Sequence, residues 1–227
     1  MVHYLDTNQI KDNKEYLKIA LNSKSSYFIR DGKILEIVKN NIPGGSKILE
    51  IGPGKGDFLM QLNEFGYSVS AVDVDDYLED LVKKNFNFAV ADLNTRPLPF
   101  EDEEFDCLVA AAVIEHLENG AYFLKESKRV LKKGGLLILS MPNVFSFSSR
   151  VIFFFRGEIP SYSKENNHIT IFTKSILIKL TSGLRLEKDF YSRGFIKIFG
   201  KKIWLPDMYF INKHFGSKVC YQFKKYV

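Results

Sequence analysis

The chain has 227 residues, 45% hydrophobic and 26% charged, with a net charge of +5. That composition builds a full buried core and excludes a disordered or low-complexity chain. The charge permits an anionic substrate or surface without demanding one, and no apolar run reaches the length of a membrane span.

Met1 to Lys14 is polar and lacks the apolar segment of a secretory signal. Cys107 and Cys220 have no metal-ligand spacing, and Cys107 sits in an apolar run. Both read as reduced structural thiols, so a cytoplasmic location is expected. Residues 8–41 carry two amphipathic patterns. Tyr16, Leu17, Ala20 and Leu21 share one helical face, and Ile34, Leu35 and Val38 stripe a second helix over Phe28 to Val38. Pro43-Gly44-Gly45 stops that helix and launches the first strand.

The stretch from Ile48 to Phe58 organises the rest of the chain. A short β-rich run, Ile48-Leu49-Glu50-Ile51, breaks into Gly52-Pro53-Gly54-Lys55-Gly56, and apolar residues resume at helical spacing with Phe58, Leu59, Leu62 and Phe65. The expected structure is strand, tight turn, helix. Glycines there let the backbone take positive φ and approach a ligand, and the helix start offers free N–H donors. Dinucleotide folds use G-x-G-x-x-G to seat a pyrophosphate. Here the pattern is E-x-G-x-G-x-G, with an acid at the strand end, which suits a cofactor carrying positive charge. At this turn the sequence resembles the class I S-adenosylmethionine (SAM)-dependent methyltransferases.

The resemblance implies a Rossmann-like three-layer α/β sandwich. Its seven-stranded sheet is mostly parallel, with the last strand antiparallel. SAM is the implied cofactor and S-adenosylhomocysteine (SAH) the product. Glu50, Gly52, Pro53, Gly54 and Gly56 then belong to the cofactor site, and Tyr27 and Arg30 become candidates for its carboxylate. The run Tyr67 to Asp73 reads as the second strand, ending in an acid at the distance where Rossmann-like folds place the ribose-binding carboxylate. Two oxygens can accept from two vicinal hydroxyls. Asp73, with Val74 beside it, is the ribose candidate. The alternative is that Asp73, Asp75 and Asp76 cap a helix striped by Tyr77, Leu78, Leu81 and Val82. Phe86 to Val90 is the third strand, and the resemblance places Asp92 and Leu93 at the adenine.

Leu98 to Asp106 matches the family phrase L-P-F-x-D-x-x-F-D and leads into a fourth strand, Cys107 to Ala111. Ala111 closes the cofactor set. Val113-Ile114-Glu115-His116-Leu117 matches a phrase of the small-molecule branch, V-L-E-H-(L/V). Glu115 and His116 are the polar pair expected near the reaction point, with His116 able to act as a general base near neutral pH. They equally suit orienting the loop and capping the next helix. No metal is expected, because no second ligand cluster accompanies them. A helix with Phe123, Leu124, Ser127, Val130 and Leu131 on one face stops at Lys132-Lys133-Gly134-Gly135. Strand five is Leu136 to Met141.

Residues 142–170 form an aromatic-rich insertion, with Phe145, Phe147, Phe153, Phe154 and Phe155. It suits an apolar substrate or a membrane surface, or else a helix packed on the core. His168 precedes a helix capped by Thr173 and striped by Ile176, Leu177 and Leu180; this histidine is a third candidate catalytic residue. Leu186 to Tyr191 and Val219 to Phe223 are the last two strands. Between them, 192–217 reads as a second insertion, a covered hairpin that interleaves aromatic and basic residues.

The whole reads as one domain over residues 1–227. Its expected activity is methyl transfer from SAM to a small-molecule or lipid- or sugar-linked acceptor, with peripheral membrane contact through the aromatic segment and no nucleic-acid partner. Two rival readings stand beside it. One is a SAM-binding protein that works through partners without catalysis. The other is an NAD-dependent oxidoreductase, disfavoured by the glycine spacing and by Asp92.

Overall fold

The structure is a computed structural model that describes residues 32–78, 85–198 and 201–226. The first amphipathic pattern, Tyr27, Arg30, Leu81 and Val82 lie outside the described residues. In chain order the described elements are α1 (Lys33–Asn41), β1 (Lys47–Ile51), α2 (Asp57–Glu64), β2 (Ser68–Asp73), β3 (Asn87–Val90) and β4 (Phe105–Ala111). A 3-10 turn, Ile114–His116, leads to α3 (Gly120–Val130), β5 (Leu131–Pro142) and α4 (Phe147–Arg156). After a second 3-10 turn, Pro160–Tyr162, come α5 (Lys174–Leu180), β6 (Leu184–Tyr191), β7 (Phe195–Ile198), β8 (Lys201–Trp204), α6 (Tyr209–Phe215) and β9 (Lys218–Lys225).

Seven strands form one sheet in the order β3-β2-β1-β4-β5-β9-β6. The pairs from β3 through β5 are parallel, and β9 runs antiparallel to both β5 and β6. This is the architecture expected from the sequence, antiparallel last strand included. The central strands are apolar at nearly every position because both of their faces are covered. Strand periodicity then sorts their side chains into two cores. Ile48, Cys107, Val109, Leu136 and Ile138 pack with Ile34, Ile37 and Val38 of α1 and Phe58, Leu59 and Leu62 of α2. Leu49, Ile51, Leu108, Ala110, Leu137 and Leu139 pack with Phe123, Leu124 and Val130 of α3 and Leu177 of α5. Alternate residues of one strand therefore hold alternate layers of the sandwich together. Cys107 and Cys220 are both buried in the first of these cores, and burial pushes the Cys107 thiol up, away from the reactive thiolate. No helix among the described residues is long and apolar enough to cross a membrane.

Four expectations need correction. Strand five begins at Leu131, not Leu136. Leu131 pairs with Phe105, and the ladder resumes at Cys107 and Leu136, so Lys132 to Gly135 bulge out of the strand. Helix α4 is not packed on the core. Only Ser149 of it is buried, while Phe154 and Phe155 are 81% and 78% exposed. The stripe on α5 is likewise partial: Leu177 is buried, but Ile176 and Leu180 are exposed. The hairpin β7–β8 exists, but its β8 strand is exposed along its length rather than covered.

The phrase from Leu98 to Asp106 acquires a structural reason. Arg129, in the last turn of α3, donates from Nη1 to the carbonyl of Phe100 (2.9 Å) and from Nη2 to that of Leu98 (2.9 Å). The same guanidinium pairs with Glu126 at 2.8 Å and Asp102 at 2.7 Å, while Glu126 Oε2 accepts from the Leu98 amide. One side chain thus fastens the β3–β4 connection onto α3. Replacing it leaves two carbonyls and the buried Glu126 without their partner. Arg129→Ala is expected to cost about 2–4 kcal/mol of stability, read as a lowered midpoint in urea unfolding. An unchanged midpoint would show that the connection is held by something else.

Candidate active site

In an open parallel sheet a ligand crevice forms at the carboxyl ends of strands where the strand order reverses. Here that point lies between β1 and β4. The loops that leave these strands touch. Gly52 has φ +68°, its N–H donates to the Val72 carbonyl at 2.9 Å, and a Cβ placed on it would lie 2.7 Å from Val113 Cγ2. Any side chain at position 52 would fill the crevice and sit in a left-handed conformation. Gly54 and Gly56 continue the turn with φ of +55° and +87°, and Gly56 caps α2. Pro53 is buried, and its carbonyl accepts from the Gly56 amide. Across the crevice Ala111 ends β4, and Ala112 takes φ +61° with its N–H on the Ser140 carbonyl. A non-glycine residue in that region stores strain, which clusters at ligand sites.

Two acids face this turn. Glu50 is 2% exposed, and its Oε2 has no hydrogen-bond partner. Burial, reinforced by Asp73 and Asp57, pushes its carboxyl up to about 8. Asp73 accepts from the Val74 amide at 2.7 Å and from the Gly54 amide, yet burial still lifts it to about 6. Asp73 therefore disfavours charge on Glu50, and the Val74 amide is occupied in holding Asp73 rather than free. Asp92 does two jobs in its own loop, accepting from the Asn94 amide (3.0 Å) and from Thr95 Oγ1 (2.9 Å). A carboxylate has about four acceptor positions, so about two remain. Leu93 is buried in the core formed with α3. This set fits a cationic nucleoside such as SAM: an orphaned buried carboxylate oxygen, an acid beside it, and a glycine cradle that a Cβ would obstruct.

Beyond Ala112 the structure brings His168 to the adjacent pair Glu115 and His116. Glu115 is wholly buried in the 3-10 turn, and neither of its carboxylate oxygens has a hydrogen-bond partner on another residue. Burial raises its carboxyl to about 7, opposed by Lys218. The rings of His116 and His168 cross at 67° with centroids 4.7 Å apart. His168 arrives because its loop is stitched to the turn: the amides of Ile169 and Thr170 both donate to the Glu115 carbonyl, at 2.9 and 3.1 Å. His116 Nδ1 meets the Asn167 carbonyl (3.1 Å), and His168 Nδ1 meets the Ser161 carbonyl (2.5 Å). Burial, then His168, lowers His116 to about 4, and burial lowers His168 too. Both rings are neutral at pH 7, and His116 is a weaker base than an exposed imidazole.

Two contributors have no signature in the sequence. Tyr162 lies 5.4 Å from His168, and its phenol is pushed up by burial and by Glu115. It also lines an open groove of about 420 Å³ with Phe153, Ile159 and Ile171. Lys218, at the start of β9, acts on Glu115 and on both histidines. Neither position follows a recurrent spacing, and both reach the cluster only through tertiary structure. A second cavity of about 350 Å³, lined by Lys47, Ser68 and Asn87, opens at the amino ends of β1, β2 and β3, opposite the crevice.

Residues 49–139 match the family model described as a methyltransferase domain. A probable SAM-dependent methyltransferase of Mycobacterium tuberculosis is 36% identical over 102 residues, covering 44% of this chain and 37% of that protein. The mitochondrial ubiquinone biosynthesis O-methyltransferase of Homo sapiens is 29% identical over 163 residues, covering 66% of this chain and 44% of that one. The chain spans about half the length, or less, of the first curated relatives it matches. A TehB-like SAM-dependent methyltransferase from Corynebacterium glutamicum shares the fold. Its TM-score is 0.56 at 18% identity, over 95% of this chain and 96% of that one. The glycine turn, the strand order and the match over residues 49–139 make this part of the chain similar to the class I SAM-dependent methyltransferases.

Proposed function

We propose that the protein transfers a methyl group from SAM to a hydroxyl of a small, largely apolar acceptor. The observation that carries this reading is the pair of acids at the glycine turn. A site that already strains to hold Glu50 and Asp73 together gains from a ligand that brings positive charge. A pyrophosphate would add negative charge to the same place, which argues against a nicotinamide dinucleotide.

SAM, when bound, supplies a methyl group already activated on a sulfonium. The protein's work is therefore positioning and electrostatics. In this reading Glu50 faces the α-ammonium, Asp73 accepts from the ribose hydroxyls, and Asp92 with the Leu93 backbone contacts the adenine. Gly52, Gly54 and Gly56 keep the turn clear of side chains. Glu115, His116 and His168 serve the acceptor side, where a hydroxyl must shed its proton. The acceptor lies in the groove lined by Phe153, Ile159, Tyr162 and Ile171, which abuts His168 through Tyr162. The exposed Phe154 and Phe155, next to Arg156 on α4, suit an acceptor presented at a lipid surface. The relative named for ubiquinone biosynthesis is an O-methyltransferase, which agrees with a hydroxyl as the acceptor.

Calorimetric titration with SAH, with NAD as control, tests the cofactor assignment. The expected result is micromolar SAH binding and none of NAD. Asp73→Ala is expected to weaken SAH roughly 100-fold through two lost charge-assisted hydrogen bonds, with an unchanged circular dichroism spectrum. Unchanged affinity would sink the ribose assignment. SAH binding without methyl transfer to any of a panel of phenols and lipid-linked alcohols would favour the non-catalytic reading.

Glu50 yields a pH dependence of definite sign. Its folded value, about 8, lies above the ordinary glutamate value of 4.5. Its contribution to stability is fully present below about 4.5 and is lost as pH rises through 8. Asp73 acts in the same sense between about 4 and 6. The ligand-free protein should therefore weaken from pH 5 to pH 8. Glu115, raised from 4.5 to about 7, adds to the slope at lower pH, so Glu50→Gln should remove the part of it that lies above pH 7 and gain about 1–3 kcal/mol at pH 8, while binding SAH at least tenfold more weakly. Thermal unfolding across this range reads the first effect and calorimetry the second. A variant less stable than the parent at pH 8 would overturn the argument.

A further inference from the structure

The cluster beyond Ala112 holds more than methyl transfer requires. Glu115, His116 and His168 each offer one ligating atom, and these atoms lie within 4.8 Å of one another. Neither oxygen of Glu115 has a hydrogen-bond partner on another residue, although the side chain is fully buried, and its own amide is the donor that acts on it. Lys218 acts on it only from a distance. A buried acid without donors from other residues is unfavourable unless something satisfies it.

The histidines are prepared in a specific way. A carbonyl can only accept, so Nδ1 of His116 must donate to the Asn167 carbonyl and Nδ1 of His168 to the Ser161 carbonyl. That tautomer leaves the lone pair on Nε2 of each ring. Metal-bound histidines are held in this manner, with the far nitrogen donating to a carbonyl that fixes ring orientation. Both rings keep part of their surface open, which provides an entry path.

We propose that Glu115, His116 and His168 bind one divalent transition-metal cation, with Zn²⁺ the best match, and leave a position open for an acceptor oxygen. Two imidazoles and one carboxylate with an open position are the ligand set of catalytic rather than structural zinc. Ligand atoms around tetrahedral zinc stand about 3.4 Å apart. The Glu115 carboxylate can close the remaining distance without breaking a hydrogen bond to another residue. The cation's binding stands on the cluster alone; its use in catalysis rests on the methyl-transfer reading. An acceptor hydroxyl at the open position loses its proton to bulk water, and its oxygen keeps the electron pair. As the new O–C bond forms the C–S bond breaks, and the sulfonium charge is neutralised on the leaving thioether.

The test uses the full chain after dialysis against a chelator, titrated calorimetrically with Zn²⁺ alone and with Mn²⁺ alone. One equivalent of Zn²⁺ should bind, more tightly than Mn²⁺. His168→Ala and the near-isosteric Glu115→Gln should each weaken Zn²⁺ at least 100-fold while leaving SAH affinity within about twofold of the parent. Loaded with Co²⁺, the parent should show the intense visible bands of a low-symmetry four- or five-coordinate site, and His168→Ala should lose them. No stoichiometric Zn²⁺ binding by the parent, or unchanged binding by both variants, overturns the proposal. Zn²⁺ binding in a protein that ignores SAH would leave the metal site standing and remove the methyl-transfer reading, so the two fail separately.

Discussion

A carboxyl group buried at the end of the central strand is the constraint around which the molecule is arranged. Glu50 sits where β1 stops, 2% exposed, with Asp73 ending the neighbouring strand and Asp57 opening the helix beyond. No hydrogen-bond donor reaches its outer oxygen. Such a group is tolerated in the folded state mainly as the neutral acid, and a cation brought alongside turns it from a burden into a contact. Parallel strands produce this situation readily, because their carboxyl ends all point into one crevice. The glycines across the turn leave space for the cation. The fold thus spends stability at the place where it binds.

The rest of the scaffold compensates by over-determining the walls of the crevice. Each central strand contributes alternate residues to two cores, so β1 and β4 cannot shift without disturbing both layers. Ala112 can remain in a left-handed conformation because its amide is tied to Ser140 and the next residues are held in a 3-10 turn. The side of the crevice that carries His168 is built differently. It depends on α4, the Pro160–Tyr162 turn and the loop carrying His168, a loop fastened by two hydrogen bonds to the Glu115 carbonyl and by Phe172 in the core shared with α3.

Much of this was legible in the chain because the relevant signals are local. Ile48 to Ile51 and Cys107 to Ala111 read as buried strands since every residue is apolar or sits at a strand end, and the order of turns dictates parallel pairing. Glu50 and Asp73 were legible because strand ends place side chains at a crevice. What escaped depends on distant partners. Helix periodicity shows that α4 has an apolar face but not whether anything covers it, and Phe154 and Phe155 turned out exposed. The bulge from Lys132 to Gly135 arises from β4 pairing with both ends of a segment whose middle loops out. The meeting of His168 with Glu115 and His116 rests on two backbone hydrogen bonds between loops more than fifty residues apart, for which no spacing rule exists.

The placement of β9 carries a consequence for how the chain reaches this structure. Residues 218–225 lie between β5 and β6, pairing with each, so neither neighbour has a complete ladder until they arrive. During synthesis the apolar Leu136 to Met141 waits with one edge open while roughly eighty further residues are made. An unpaired, uncharged edge of that kind is a template for association with other chains. The protein's exposure to misassembly is therefore concentrated in a single interval of its production, and it ends abruptly when one late strand slides into the gap.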